Sequence, residues 1–162
     1  MAIELSTAGI LVRWAVESAA GTRPTTGYAA FKGVKSIPEF GSEPNQLDCT
    51  PLEETEYHRY IPGLKDVGGA VGLTVNDYDD FRVSWNAMMT AYTTAKASGK
   101  ALWIEYYVPG ISSGNKPSFF YSATPSDLGF GGAEVDGVYE NTAYLTPNKV
   151  HGWDAASTSP SI

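Results

Sequence analysis

Gly110-Ile111-Ser112-Ser113-Gly114 fits the G-x-S-x-G pattern, in which a sharp turn exposes a serine as a nucleophile. That chemistry needs a strand entering the turn and a helix leaving it. Here a strand pattern precedes, but Lys116-Pro117 and a second strand pattern follow, so the segment reads as a hairpin loop. Ser112 is expected to be an ordinary loop residue. His58 and His151 are the two histidines, and either imidazole could act as a base near neutral pH. Neither has a Cys, His or carboxylate at zinc-ligand spacing, so both read as solvent-facing or partly packed. Asn76-Asp77-Tyr78-Asp79-Asp80 has the look of a calcium loop's first half. It lacks the glycine and the bidentate glutamate that such a loop needs later on, and its acids read as the start of a helix. There is no phosphate-binding glycine loop and no dinucleotide fingerprint. The sequence nominates no catalytic, cofactor-binding or metal-binding residue, and it points away from an enzyme.

The elements around these residues follow from their periods. Residues 9–17 are apolar and β-rich, with Ile10, Val12, Trp14 and Val16 on one face of a strand. Ser18 to Gly27 is small, polar and turn-like, and a second strand is expected from Tyr28 to Ile37, stopped by Pro38. Leu64 to Val75 returns to β character. Val71, Leu73 and Val75 share a face, and Gly68, Gly69 and Gly72 suggest a bulge or a close backbone approach. Phe81, Trp85, Met88, Tyr92 and Ala95 then recur at helical spacing, which predicts one helix over about 80–98. Asp79 or Asp80 would cap it, and Gly99 would end it. Strands are expected at Leu102–Val108 and Phe119–Ala123, and a last one at Val135–Leu145 after the turn at Gly129, Gly131 and Gly132. The order is strands, one helix, then strands with short, antiparallel connections. A mainly β fold results, a β-sandwich or open barrel with one flanking α-helix. Residues 1–154 form a single domain in this reading, and 155–162 form a small, polar, disordered tail.

Residues 41–63 resist assignment. They hold Pro44, Pro51 and Pro62 and show no sustained period. Their first part is acidic, with Glu39 and Glu43 leading to Asp48, Glu53, Glu54 and Glu56. Such a run is a solvated loop or a surface that repels anions. Leu52, Tyr57, Tyr60, Ile61 and Leu64 follow or interleave, and they are large and apolar. That is how an extended loop looks when it is solvated in the monomer and buries its rings against a neighbour.

Composition narrows the function classes. The chain has 162 residues, 43% hydrophobic and only 18% charged, which suits one folded domain rather than a disordered chain. A net charge of -7 opposes binding to nucleic acid through phosphates. No run of about 18 apolar residues is present, so no membrane anchor is expected. A start of Met-Ala-Ile-Glu-Leu-Ser does not read as a secretory signal, and Cys49 is the single cysteine, so synthesis in a reducing cytoplasm is expected.

Several stretches resemble the major tail tube proteins of long-tailed, siphovirus-type bacteriophages and related prophages. They are Gly21-Thr-Arg-Pro-Thr-Thr-Gly27, Lys35-Ser-Ile-Pro-Glu39, Leu52-Glu-Glu-Thr-Glu56, Tyr60-Ile-Pro-Gly-Leu-Lys-Asp66 with Gly68-Gly69, and His151-Gly-Trp153. With the element order, the resemblance covers nearly the whole chain. It implies a β-sandwich with a flanking helix, six-membered rings stacked into a hollow tube, and DNA passing through without tight binding. It implies as partners other copies of the chain, a tape measure protein and a tail terminator, and it places the protein in the virion tail after synthesis in the bacterial host. A long loop in that family reaches the adjacent ring, which would make Leu52, Tyr57, Tyr60, Ile61 and Leu64 assembly contacts. A tube subunit of a contractile tail or tailocin is the alternative. A carbohydrate-binding β-sandwich that stacks sugars on Trp14, Trp103 and Tyr107 is the rival from another class.

Overall fold

The computed structural model describes residues 4–41, 44–65 and 69–157. The expectations for Gly68, for Glu43 and for the tail from residue 158 onward lie outside the described residues. The chain runs β1 (Leu11–Val16), β2 (Ala29–Ala30), β3 (Val34–Ser36), β4 (Pro44–Asp48), β5 (Tyr60–Lys65), β6 (Val71–Asn76), α1 (Asp79–Ala97), β7 (Leu102–Tyr107), β8 (Ser118–Pro125) and β9 (Glu140–Asp154). Seven strands form one antiparallel sheet in the order β2-β1-β7-β8-β9-β6-β3, and β4 and β5 form a separate pair. The fold is mainly β with one helix, as expected.

The expected single strand from Tyr28 to Ile37 is instead two short strands, and they lie on opposite edges of the sheet. Arg13 and Trp14 of β1 pair with Ala30 and Ala29 of β2, while Val34 and Ser36 of β3 pair with Val75 and Thr74 of β6. Laid flat, seven strands would put those edges about 29 Å apart at the usual strand spacing. Four residues of chain, from Ala30 to Val34, span at most about 14 Å. The sheet must therefore curl until its edges almost meet. Phe31 N–H donates to the Val12 carbonyl at one edge, and Asn76 N–H donates to the Gly33 carbonyl at the other. Gly33 sits at φ 83°, and a Cβ there would meet the Tyr78 ring and the Asn76 carbonyl. Only glycine fits this crossing.

β9 also exceeds its expected bounds. It starts at Glu140 rather than Val135 and continues to Asp154, and Val135 and Val138 project from the loop before it. Its first part pairs with β6 through residues 140–145, and its second part pairs with β8 through residues 145–154. That offset is the stagger a curled sheet requires.

Alternation sorts the side chains onto two faces. Val12, Leu73, Val75, Leu102, Ile104, Tyr106, Tyr121 and Leu145 point to the concave side, where Phe81, Trp85 and Met88 of α1 join them in one core. On the convex side, Ala15, Trp103 and Phe120 pack under Tyr28. β7 is therefore buried on both faces. Arg13 and Glu105 pair on the convex side at 3.3 Å, and Ser157 donates to Glu105 through both its backbone N–H and its hydroxyl. Residue 157, inside the expected tail, is thus tied to the barrel.

Helix α1 departs from expectation at its start and follows it at its end. Tyr78 occupies the N-cap with no side-chain capping bond, so neither Asp79 nor Asp80 caps. Both lie in the first turn, where their charge suits the helix dipole. Asp77 is occupied by a two-bond clamp from Arg82, at 2.5 and 2.6 Å, which holds its carboxyl below the usual range. At the other end Gly99 takes φ 71°. Lys100 N–H donates to Ala95 and Gly99 N–H to Lys96, which closes the helix with the paired bonds of a left-handed glycine cap.

Candidate assembly surface

Residues 44–65, which take in most of the periodless stretch 41–63 and the start of the β pattern expected from Leu64, are not a structureless loop. They form a two-stranded arm in which Leu47 faces Ile61, Asp48 faces Tyr60, Gln46 faces Pro62 and Pro44 faces Lys65. No residue of the arm is buried. Prolines are tolerated in both strands because each is an edge strand and needs no outer ladder.

The connection at the arm's tip satisfies its own polar groups. Thr50 donates its N–H to Asp48 Oδ1 at 2.9 Å, and Arg59 N–H donates to Thr50 Oγ at 2.7 Å. Cys49 N–H donates to the Arg59 carbonyl, and Arg59 Nη2 reaches Glu54 Oε2 at 3.0 Å. The Glu56 and Thr55 amides donate to Glu54, and the Glu56 amide, the Arg59 guanidinium and the Thr55 amide hold its carboxyl below the usual range. His58 lies 3.4 Å from Asp48, and the hydrogen bonds from Thr50 hold that carboxyl low as well. These bonds shape the tip. As a partly exposed ion pair, Arg59–Glu54 adds little stability.

Beside exposed charges such as Glu53, Glu56 and Lys65, the arm turns large apolar side chains outward. By the strand alternation, Tyr60, Pro62 and Leu64 share one face, while Ile61 shares the other with Leu47, whose side chain lies over Gly63. Leu64 is 86% exposed, Leu52 is fully exposed at the tip, and Tyr57, Tyr60 and Ile61 are all open to solvent. The sequence-predicted contact residues therefore lie on one arm but divide between two faces and a tip. Leu47 completes the second face. Sequence reasoning passed over it because it sits among polar neighbours, and its signal was the register that places it opposite Ile61.

The tempting chemistry falls elsewhere. Ser112 precedes a single 3-10 turn (Ser113–Asn115) in the hairpin between β7 and β8, as expected from Lys116-Pro117. His151 donates from Nε2 to the Asp154 carboxylate at 2.9 Å and packs edge-on to Trp103 and Phe120. Among the described residues, no group of three or more His, Cys, Asp or Glu could hold a metal. No helix among the described residues is long and apolar enough to cross a membrane. Trp14 turns to the concave core, while Trp103, 3% exposed, donates its Nε1 proton to Glu17 on the convex side. Tyr107 lies under the Arg13 guanidinium. These rings form no shared open platform for a sugar.

No protein-family model matches the chain, and no curated protein does. Among solved structures, the chain is similar to one in the cryo-EM structure of the anti-feeding prophage baseplate, 6-fold symmetrised. The likeness has a TM-score of 0.64 at 10% sequence identity, and it covers 95% of this chain and 98% of that one. At that identity it shows a shared fold across the whole length: a curled, mainly β body with one helix.

Proposed function

We propose that this protein is a structural subunit of a phage-type tail that assembles into six-membered rings stacked as a hollow tube. The observation that carries this reading is the arm. It exposes apolar side chains on both faces while Asp48, Thr50, Glu54 and Arg59 bond among themselves at its tip, so burial of those side chains against another copy is the gain available to it. An isolated two-stranded hairpin is marginal in water, and a neighbour would supply the missing core. The fold neighbour in a six-fold baseplate assembly and the tail-tube resemblance support the same role. A chain with a net charge of -7 also suits a lumen that lets DNA slide past rather than gripping it.

The fold neighbour's place in a baseplate favours a second reading, a ring at the tail's end rather than a repeating shaft subunit. Negative-stain imaging of the concentrated protein separates them. Hollow tubes are expected for the shaft subunit and single closed rings for the baseplate component. A population that stays monomeric at every concentration overturns both.

A further inference from the structure

A second uncovered surface lies on the loop that joins β8 to β9. The loop between β8 and β9 exposes Phe130, Val135 and Val138 at 80, 89 and 75%. Beside them Gly131, Gly132, Glu134, Val138, Tyr139 and Glu140 line an open concavity of about 510 Å³. The loop is held in shape. Asn141 Nδ2 donates to the Gly129 carbonyl at 2.7 Å, Phe130 packs on Tyr139 with ring centroids 5.6 Å apart, and Gly131 leaves no room for a side chain beside Glu140. Glu134 and Asp136 at its rim make no salt bridge among the described residues, while Glu140 is paired with Lys35.

This loop sits at the N-terminal end of α1, because Asp77 N–H, two residues before the helix, donates to the Tyr139 carbonyl. The opposite end is basic. Lys96 and Lys100 flank Gly99, and Lys149 lies opposite Ser122, which lies opposite Trp103, three residues beyond Lys100. None of these three lysines makes a salt bridge among the described residues. The 19 residues of α1 separate the two ends by about 28 Å. The helix dipole accounts for Asp79, Asp80 and Lys96. It accounts for Lys100 in the C-terminal cap as well, but not for Glu134 and Asp136 on a loop or for Lys149 on β9, whose charge also reaches the Glu17 carboxylate.

We infer that the acidic, apolar loop surface around Glu134, Asp136 and Val138 docks the lysine-bearing end of a second copy, through Lys100 and Lys149. Charge complementarity selects this occupant. The arm of a second copy has the wrong sign, since Asp48, Glu53, Glu54 and Glu56 outnumber Arg59 and Lys65. Joining unlike ends is a heterologous contact, so each docked copy leaves one free end of each kind and the contact propagates into a ring or a stack. The inference rests on the proposed self-assembly, and it adds a contact independent of the arm.

The test uses two charge reversals in the full chain, Glu134→Lys with Asp136→Lys, and Lys100→Glu with Lys149→Glu. Sedimentation velocity at several salt concentrations is the readout. Each reversed chain should self-associate more weakly than the parent by about tenfold or more, because like charges then face each other. An equimolar mixture of the two should recover association, since each supplies the sign the other lost. If both reversed chains assemble like the parent, or if the mixture recovers nothing, the contact is wrong while the tube reading stands. A parent chain that never associates removes both readings.

Discussion

In β7 five of six residues are buried, whereas in β4 and β5 none is. Both regions are antiparallel β-structure cut from one chain, and they are held by opposite means. The barrel is a packing problem, with each strand ordered by side chains on one or both faces. The arm is a hydrogen-bonding construction, shaped by its ladder and by the Asp48, Thr50, Glu54 and Arg59 bonds at its tip. Packing yields a stable body in the free subunit. An arm without a core keeps its apolar surface for a partner, and its local opening should be far easier than that of the body.

The barrel side of this comparison breaks most sharply at Trp85. It is 2% exposed and lies between Phe81 and Phe31, with ring centroids 5.8 Å from each. Trp85→Ala should destabilise the subunit by about 3–5 kcal/mol, the range for truncating large aromatics in a core. Chemical denaturation checks it, and an unshifted midpoint would mean that α1 does not close the concave face.

The same contrast explains what the sequence makes legible. A helix that packs on a core must repeat its apolar residues, so Phe81, Trp85 and Met88 announce α1. Val71, Leu73 and Val75 announce β6 for the same reason. Without a core there is no reason to alternate, so β4, β5 and the outer half of β9 leave no period. The arm's apolar residues could be named as contacts, but their division between two faces follows from a register that Pro44 and Pro62 disguise. Tyr28 to Ile37 misleads in another way. Its Tyr28, Phe31, Val34 and Ile37 favour strand, yet Phe31 and Gly33 carry the chain from one sheet edge to the other, a demand set by tertiary closure rather than by any local preference. The exposed Val135 and Val138 mislead likewise, since β-branched residues suit a strand whether or not they are placed in one.

A smaller effect on the body is expected at Glu17, which ties the β1 end to β7. Its carboxylate accepts from Ala101 N–H at 2.9 Å, Trp103 Nε1 at 2.8 Å and Gly21 N–H at 3.1 Å. Burial pushes this carboxyl up, but those hydrogen bonds outweigh it and hold it below its ordinary value of 4.5. Glu17→Gln sets an amide N–H against these donors and should cost about 1–3 kcal/mol at neutral pH. A lowered folded-state value gives stability that is present above the ordinary value and is lost as pH falls through the folded one. The gap between parent and variant should therefore narrow as pH falls below the ordinary value of 4.5. A gap that stays constant as pH falls below that value would show that Glu17 is not held ionised by these bonds.

The smallest effect on stability, and the most informative contrast, is expected in the arm. Tyr57→Ser with Tyr60→Ser removes two exposed rings, so the monomer has no packing to lose and its melting temperature should stay nearly unchanged. Assembly should fail, because those rings have nothing to bury against except another subunit. Trypsin supplies a second view. Arg59 sits on the exposed connection, its side chain 64% accessible, and should be cut early in the free subunit. If the arm docks on a neighbour, assembled parent protein should resist cleavage at Arg59, while the double variant should remain as sensitive as the monomer. Two results would end this account of the arm: a double variant that assembles like the parent, or an Arg59 site cut equally fast before and after assembly. A melting temperature lowered as far as that of Trp85→Ala would be as damaging, since it would show that the arm belongs to the body's core after all.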